Sequence, residues 1–406
     1  VVSVVGFVAV RIHPTNLFLI LTSIASRMDA RSIAFYTWGI NGDAFTNIIA
    51  SLCEGFSVEN LDALYVVYLR ESDKNLKARF PSNVRFISLN VRRASFSVIA
   101  FKRFIEKYQP DLIISMPTII NIPAIIAWLW AKRRCPRTKI IISEHAIISY
   151  ETKVEYRYNL RMRLLPLLAK FLYPKASGVV ANNSSVIDDL EKQGIRPNFE
   201  KSAIIANPLS LTAINKLAGA VPKHRWLTQK ESKIIIGVGR LAKQKNWSLL
   251  LHAVAFLKDI LDVRLIILGD GPERSFLLKT VKSLGLEGLV DFPGFQENPY
   301  AWIAKADILV LPSMEESFGL VLLESMVCGV PVVAVDSIGG GPRLLTDHGK
   351  FGSLVPNNVQ SLSDAILKLL LDHNFKEELI RSARIHVGSF SVESVTQQWK
   401  SLINKL

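Results

Sequence analysis

The most constraining feature of this chain is a rhythm. Short runs that are apolar almost throughout alternate with segments of helical periodicity, and this happens twice. From residue 32 onward, such runs fall at 32–37, 63–69, 84–89, 111–115, 139–143, 178–181 and 202–206. Continuous apolar runs of this length suit parallel strands buried on both faces. Helical patterns lie between them, at 93–108 and 122–133 for example. A strand–helix alternation of this kind predicts a doubly wound parallel sheet. Residues 207–232 carry two prolines and end in a charged cluster, and they read as a linker. The alternation then restarts, with runs at 233–238, 263–268, 289–292, 307–311, 331–335 and 352–355, and a helix over 246–258. The expected organisation is an extension at 1–27, a first α/β domain at 28–215, a second at 216–388, and a helix at 389–406 that packs back on the first domain.

Length and composition agree with this division. A chain of 406 residues, 49% of them apolar, can fill two cores. Three widely spaced cysteines form neither a metal motif nor a disulfide framework, which fits a reducing compartment. The formal charge of +14 is concentrated in the first half. Residues 1–215 hold 27 Lys and Arg against 16 Asp and Glu, and the remainder 22 against 19. A basic half calls for anionic partners. The stretch before Met28 holds two apolar pieces split by Arg11, His13 and Pro14. Neither reaches the roughly 18 residues of a membrane span, and the stretch reads as an extension outside the fold.

The second half contains "PSMEESFGLVLLESMVCGVPVV", residues 312–333, which places Glu324 inside an otherwise apolar segment. With Ser317 as N-cap, a helix over 318–328 would start at the carboxyl end of the strand at 307–311, where open α/β sheets bind ligands. A helix start favours a phosphate. Carboxylates beside it would repel that phosphate unless they face hydroxyls, which donate well to them. The local chemistry therefore points to a sugar nucleotide. The competing reading makes Glu315 and Glu316 solvated loop charges and Glu324 a salt-bridged helix residue.

The stretch "ESFGLVLLE" resembles the E-x7-E signature of the retaining glycosyltransferases of family four, which have the GT-B fold: two Rossmann-like doubly wound domains facing across a cleft. The resemblance extends to "LVLPS", "SMVCGVPVVA", "GVGRLAKQKNW" at 237–247 and "LIILGDGPE" at 265–273, so it covers the second domain. It implies that Arg240 and Lys245 hold the donor diphosphate, that Glu316 binds hydroxyls of the transferred sugar, and that Glu324 binds the ribose. Backbone N–H groups of Phe318, Gly319 and Leu320 would meet the phosphate. Gly269, Asp270 and Gly271 would form a turn near the donor or a plain structural turn. Phe295, in "FPGFQEN", would lie by the base or pack in the core. In the first domain, which matches only in layout, His145 of "SEHA" would approach the transferred sugar, with Glu144 beside it structural. Gly42 of "WGINGDAF" would sit at a phosphate or acceptor, although this chain has Asp43-Ala44 where the family often has a second glycine and a glutamate. Asn207-Pro208 matches the family's interdomain boundary.

The implied reaction is transfer of a hexose or N-acetylhexosamine from a nucleoside diphosphate sugar, with retained configuration, to a glycan or polyprenyl-diphosphate-linked acceptor. There is no Asp-x-Asp motif, so Arg240 and Lys245 are expected to serve in place of a metal, and no cofactor beyond the nucleotide co-substrate is expected. Basic residues interleaved with aromatics (Arg92, Arg93, Lys102, Arg103 and Lys107 around Phe96, Ile99 and Phe104; residues 132–139 after "AIIAWLW"; Lys153, Arg157, Arg161, Arg163 and Lys170 around Tyr156 and Tyr158) fit an anionic membrane surface or a solvated face over core aromatics. The expected location is cytoplasmic, peripheral on the inner face of the plasma membrane. No helix-turn-helix, zinc or RNA-binding motif supports a nucleic-acid partner. A sugar-nucleotide epimerase on the same fold is the alternative enzyme.

Overall fold

The computed structural model describes residues 30–70, 75–155, 158–229 and 231–406. The extension at 1–27, Tyr156, Arg157 and the side chain of Arg161 lie outside what it describes. In the first domain the apolar runs become β1 (Ser32–Thr37), β2 (Ala63–Tyr68), β3 (Val84–Ser88), β4 (Leu112–Ser115), β5 (Lys139–Glu144), β6 (Gly178–Ala181) and β7 (Ala203–Ile204). They form one parallel sheet in the order β3-β2-β1-β4-β5-β6-β7. Alternation along β1 shows why the runs are continuous. Ile33 and Phe35 enter one helix-covered layer, and Ala34 and Tyr36 enter the other. The outermost strand, β7, is two residues long, and its Ile204 is half exposed, as befits a blunt edge.

The second domain repeats the plan with β8 (Lys233–Val238), β9 (Val263–Leu268), β10 (Val290–Gly294), β11 (Ile308–Leu311), β12 (Val332–Val335) and β13 (Ser353–Val355). The order is β10-β9-β8-β11-β12-β13, again parallel. Strand order reverses between β1 and β4 and between β8 and β11. Those switch points open a crevice at the carboxyl ends of the strands.

One expectation changes. Residues 207–232 are not a featureless linker: helices Leu211–Ala218 and Arg225–Thr228 place Leu209, Ile214 and Leu227 in the second domain's core. The prolines, Pro208 and Pro222, fall before the two helices and not inside them, so they do not interrupt the apolar spacing. Helix Val392–Ile403 returns to the first domain, where Val395, Trp399, Leu402 and Ile403 pack among Phe35, Ile49 and Phe56. No helix among the described residues is long and apolar enough to cross a membrane.

Candidate active site

Strand β8 ends, and the loop after it begins, with glycines (Gly237 and Gly239) for a steric reason. A Cβ on Gly237 would strike the ring of Trp247, which is almost fully buried and donates from Nε1 to the Arg240 carbonyl at 3.0 Å. Gly269 and Gly271 press on the same loop, since a Cβ on either would strike the backbone of Gly239 or Leu241. Leu241 N–H donates to the Asp270 carbonyl at 2.9 Å. The Gly-Asp-Gly turn is thus a brace that fixes the backbone carrying Arg240. The Arg240 side chain is exposed.

Lys245 ends a 3-10 turn, Lys243–Lys245, and its Nζ is ion-paired with Glu316 Oε2. Ser313 Oγ donates to the same oxygen at 3.4 Å. Neighbouring Gln244 donates to the Glu315 side chain, and Met314 N–H to the Gln244 carbonyl at 2.9 Å. Glu315 is therefore a buried strut rather than a solvated loop charge, and Glu316 alone of the acid pair faces Lys245. Glu316 N–H donates to the Ile338 carbonyl at 2.8 Å, and its own carbonyl accepts from Gly341 N–H at 3.0 Å.

The helix after β11 starts later than expected. It spans Leu320–Val327, with Gly319 at its cap in the left-handed region at φ 89°. Ser317 is not its N-cap. The turn at Gly319 separates Ser317 from the helix, and the Ser317 hydroxyl donates instead to the His145 carbonyl at 2.5 Å. The first N–H groups of this helix have no intrahelical acceptor by position. Phe318 turns its ring into the core, beside Phe390, so only its backbone is available to a ligand.

Glu324 is buried four residues into that helix and accepts from Tyr300 Oη at 3.2 Å. Burial raises its pKa from 4.5 to about 7, against the lowering effect of the Tyr300 hydrogen bond. It is not salt-bridged among the described residues. Phe295 lies at the end of β10 and is 65% exposed, so it is not a core residue.

Across the crevice, His145 follows β5. Its Nε2 lies 2.9 Å from Ser143 Oγ, and its ring meets the edge of Phe45. Burial lowers its pKa to about 4, opposed by Asn207, so the imidazole is neutral at pH 7. Glu144 is wholly buried and accepts from Thr118 Oγ1 at 2.6 Å, Tyr173 Oη at 2.7 Å and His145 N–H at 2.9 Å. It fixes the backbone under His145 and does not reach the crevice. Gly42 adopts φ 75°, and the next residue, Asp43, caps helix Ala44–Ser57 by accepting from Thr46 N–H at 2.8 Å. Asp43 therefore does capping work where the family pattern has glycine or glutamate.

The structure thus gathers Lys245, Glu316 and the start of helix Leu320–Val327 around one crevice, with His145 opposite. Sequence reasoning missed the "SIGGGP" loop after β12. Gly339 and Gly340 have φ of 98° and 70°, and a Cβ on Gly339 or Gly341 would collide with the backbone of residues 316–318. Three consecutive glycines at a strand's carboxyl end were the available signal. Tyr300 and Asn183 were also missed, and nothing local marks them.

Two doubly wound parallel-sheet domains, with their strand ends turned to a charged crevice, define the GT-B fold. Residues 223–386 match the family described as Glycosyl transferases group 1, and residues 51–212 match Glycosyltransferase Family 4. The N-acetylgalactosamine-N,N'-diacetylbacillosaminyl-diphospho-undecaprenol 4-alpha-N-acetylgalactosaminyltransferase of Campylobacter jejuni is 32% identical over 272 residues, 67% of this chain and 71% of that protein. A second enzyme of that organism, GalNAc-alpha-(1->4)-GalNAc-alpha-(1->3)-diNAcBac-PP-undecaprenol alpha-1,4-N-acetyl-D-galactosaminyltransferase, is 26% identical over 91% of this chain and 98% of its own. Among solved structures, Anabaena Alr3699/HepE in complex with UDP and glucose superposes with a TM-score of 0.74 at 23% identity, covering 93% of this chain and all of that one. The chain belongs to the group 1, family 4 glycosyltransferases.

Proposed function

We propose that this glycosyltransferase moves a hexose or N-acetylhexosamine from a nucleoside diphosphate sugar to a glycan or lipid-linked acceptor, retaining anomeric configuration and needing no metal. The observation that carries this reading is the Lys245–Glu316 pair beside Arg240 and the start of helix Leu320–Val327. A diphosphate arriving there draws Lys245 away from Glu316 and frees that carboxylate for sugar hydroxyls. Arg240, Lys245 and the helix N–H groups then hold the charge that develops on the leaving diphosphate. The bond from the anomeric carbon to the diphosphate breaks and the acceptor oxygen bonds on the same face. The acceptor's proton passes to the departing phosphate oxygen. Neutral His145 lines the opposite wall and offers a hydrogen bond to the sugar. Glu324 takes the ribose hydroxyls and Phe295 the base. Gly42 lets the acceptor approach the first domain closely.

The relatives named for transfer to undecaprenol-linked glycans support the acceptor class, and the UDP and glucose complex of a structural neighbour supports the donor class. A panel of nucleotide sugars screened by thermal shift identifies the donor, because bound donor stabilises the fold. With that donor, transfer is expected to survive EDTA. Lys245→Ala is expected to lower turnover by about 10²-fold or more. Near wild-type turnover in that variant would remove the assignment, and a new sugar nucleotide formed without acceptor would indicate the epimerase.

A further inference from the structure

Neighbouring residues of the donor loop are tied to different domains. The backbone of Glu316 is held by the second domain through Ile338 and Gly341. Ser317, the next residue, is held by the first. Its hydroxyl donates to the His145 carbonyl at 2.5 Å, and its carbonyl accepts from Asn183 Nδ2. Asn183 is 2% exposed and works with both ends of its amide, since Oδ1 accepts from Val186 N–H at 3.2 Å and so caps helix Ser184–Lys192. Beside it, Gly340 approaches Ser185 so closely that a Cβ would overlap the serine hydroxyl. The crevice is therefore closed by a small polar contact directly between His145 and Glu316, the two side chains that face the transferred sugar from opposite walls.

We propose that Asn183 and Ser317 are positioning residues: they clasp the donor loop to the first domain when the crevice closes, and so set the spacing between His145 and Glu316. The bonds are uncharged and few, which suits a contact that must open for each product to leave. Apart from the hydrogen bond from His145, the donor's proposed contacts lie on the second domain, so losing the clasp costs alignment more than donor affinity. The inference rests on the glycosyl-transfer reading, because it assigns the clasp to that reaction's geometry.

Asn183→Asp separates the clasp from the cap. The carboxylate still accepts from Val186 N–H, yet it has no hydrogen to give the Ser317 carbonyl and sets negative charge against it. The expected result is a kcat lowered about tenfold, a donor KM within about twofold of wild type, and a Tm within a few degrees. Ser317→Ala is expected to lose less, and Ser317→Thr, which keeps the hydroxyl, to recover most of that loss. Small-angle scattering in saturating UDP supplies a readout without turnover, in which Asn183→Asp is expected to be more expanded than wild type. Unchanged kcat and unchanged scattering would overturn the proposal. So would a loss of activity matched by a collapse in Tm, which would make Asn183 merely structural. If wild type transfers no sugar at all, the functional reading fails and the scattering comparison decides the clasp alone.

Discussion

Burial holds the Glu324 carboxyl near pKa 7, and the Tyr300 hydroxyl only partly offsets that cost. The folded value lies above the ordinary 4.5, so between the two the folded chain keeps a proton that the unfolded chain releases. Stability is therefore lost as pH rises through this window, and the full penalty is present above about 7. Removing the charge removes the penalty. Glu324→Gln is expected to be more stable than wild type at pH 8, by up to about 3 kcal/mol, and to show little gain at pH 4, with urea melts at both pH values as the check. In the proposed function the charge has a use, because vicinal hydroxyls bind an ionised carboxylate best. Wild-type donor affinity should accordingly fall as pH drops below 7, while the glutamine variant binds weakly at every pH. An equal gain at pH 4 and pH 8 would mean that burial is not what sets this pKa.

At the scale of elements, the strands were legible because most of them are buried on both faces, which leaves short apolar runs alternating regularly with helical patterns. Strands β1, β6, β8 and β9 begin and end where their runs do. Glu316 and Glu324 stood out in the sequence through their spacing and their neighbours. What sequence did not reveal was pairing across long separations: Asn183 with Ser317, Tyr300 with Glu324, Gly269 with the loop carrying Arg240. Each depends on where another element arrives. Gly55 is of the same kind. It lies on helix Ala44–Ser57, with no turn or unusual backbone to announce it. A Cβ there would overlap the Thr396 side chain and press on Val392, so it is the gap that seats helix Val392–Ile403 on the first domain. Gly55→Ala is expected to destabilise by about 1–3 kcal/mol through overpacking, despite the helix propensity it gains. Adding Thr396→Ala should return part of the loss, a coupling that a double-mutant cycle measures. Additive effects would mean that the two residues do not meet.

For the whole molecule, the question is what its basic half faces. Three helices cover one side of the first sheet, Ser97–Tyr108, Thr118–Ala131 and Leu165–Leu172, and each packs on the next or on a common neighbour. Their inner residues, Phe104 and Trp128 among them, fill the core. Phe96, Ile99, Trp130, Leu167 and Phe171 do not, and are more than half exposed. Arg93, Arg103, Lys107, Arg133 and Lys170 stand exposed among them. A solvated face would not need those apolar side chains, and a protein core would not admit those cations. An anionic bilayer surface would satisfy both, with apolar groups entering the headgroup boundary and each nearby cation adding about 1 kcal/mol. That placement would suit an acceptor anchored in lipid. The chain is therefore expected to float with phosphatidylglycerol vesicles and not with phosphatidylcholine alone. Binding should weaken steeply with salt, as the Debye length shrinks from about 10 Å at 0.1 M towards 3 Å at 1 M. Trp130→Ser with Phe171→Ser should lower flotation while the charge is unchanged, and Arg133→Glu with Lys170→Glu should lower it while the apolar area is unchanged. Loss in both variants requires the combined surface. Loss in the charge variant alone would reduce it to general electrostatics, and flotation that ignores both would place the membrane contact, and with it the route to a lipid-linked acceptor, on some other face.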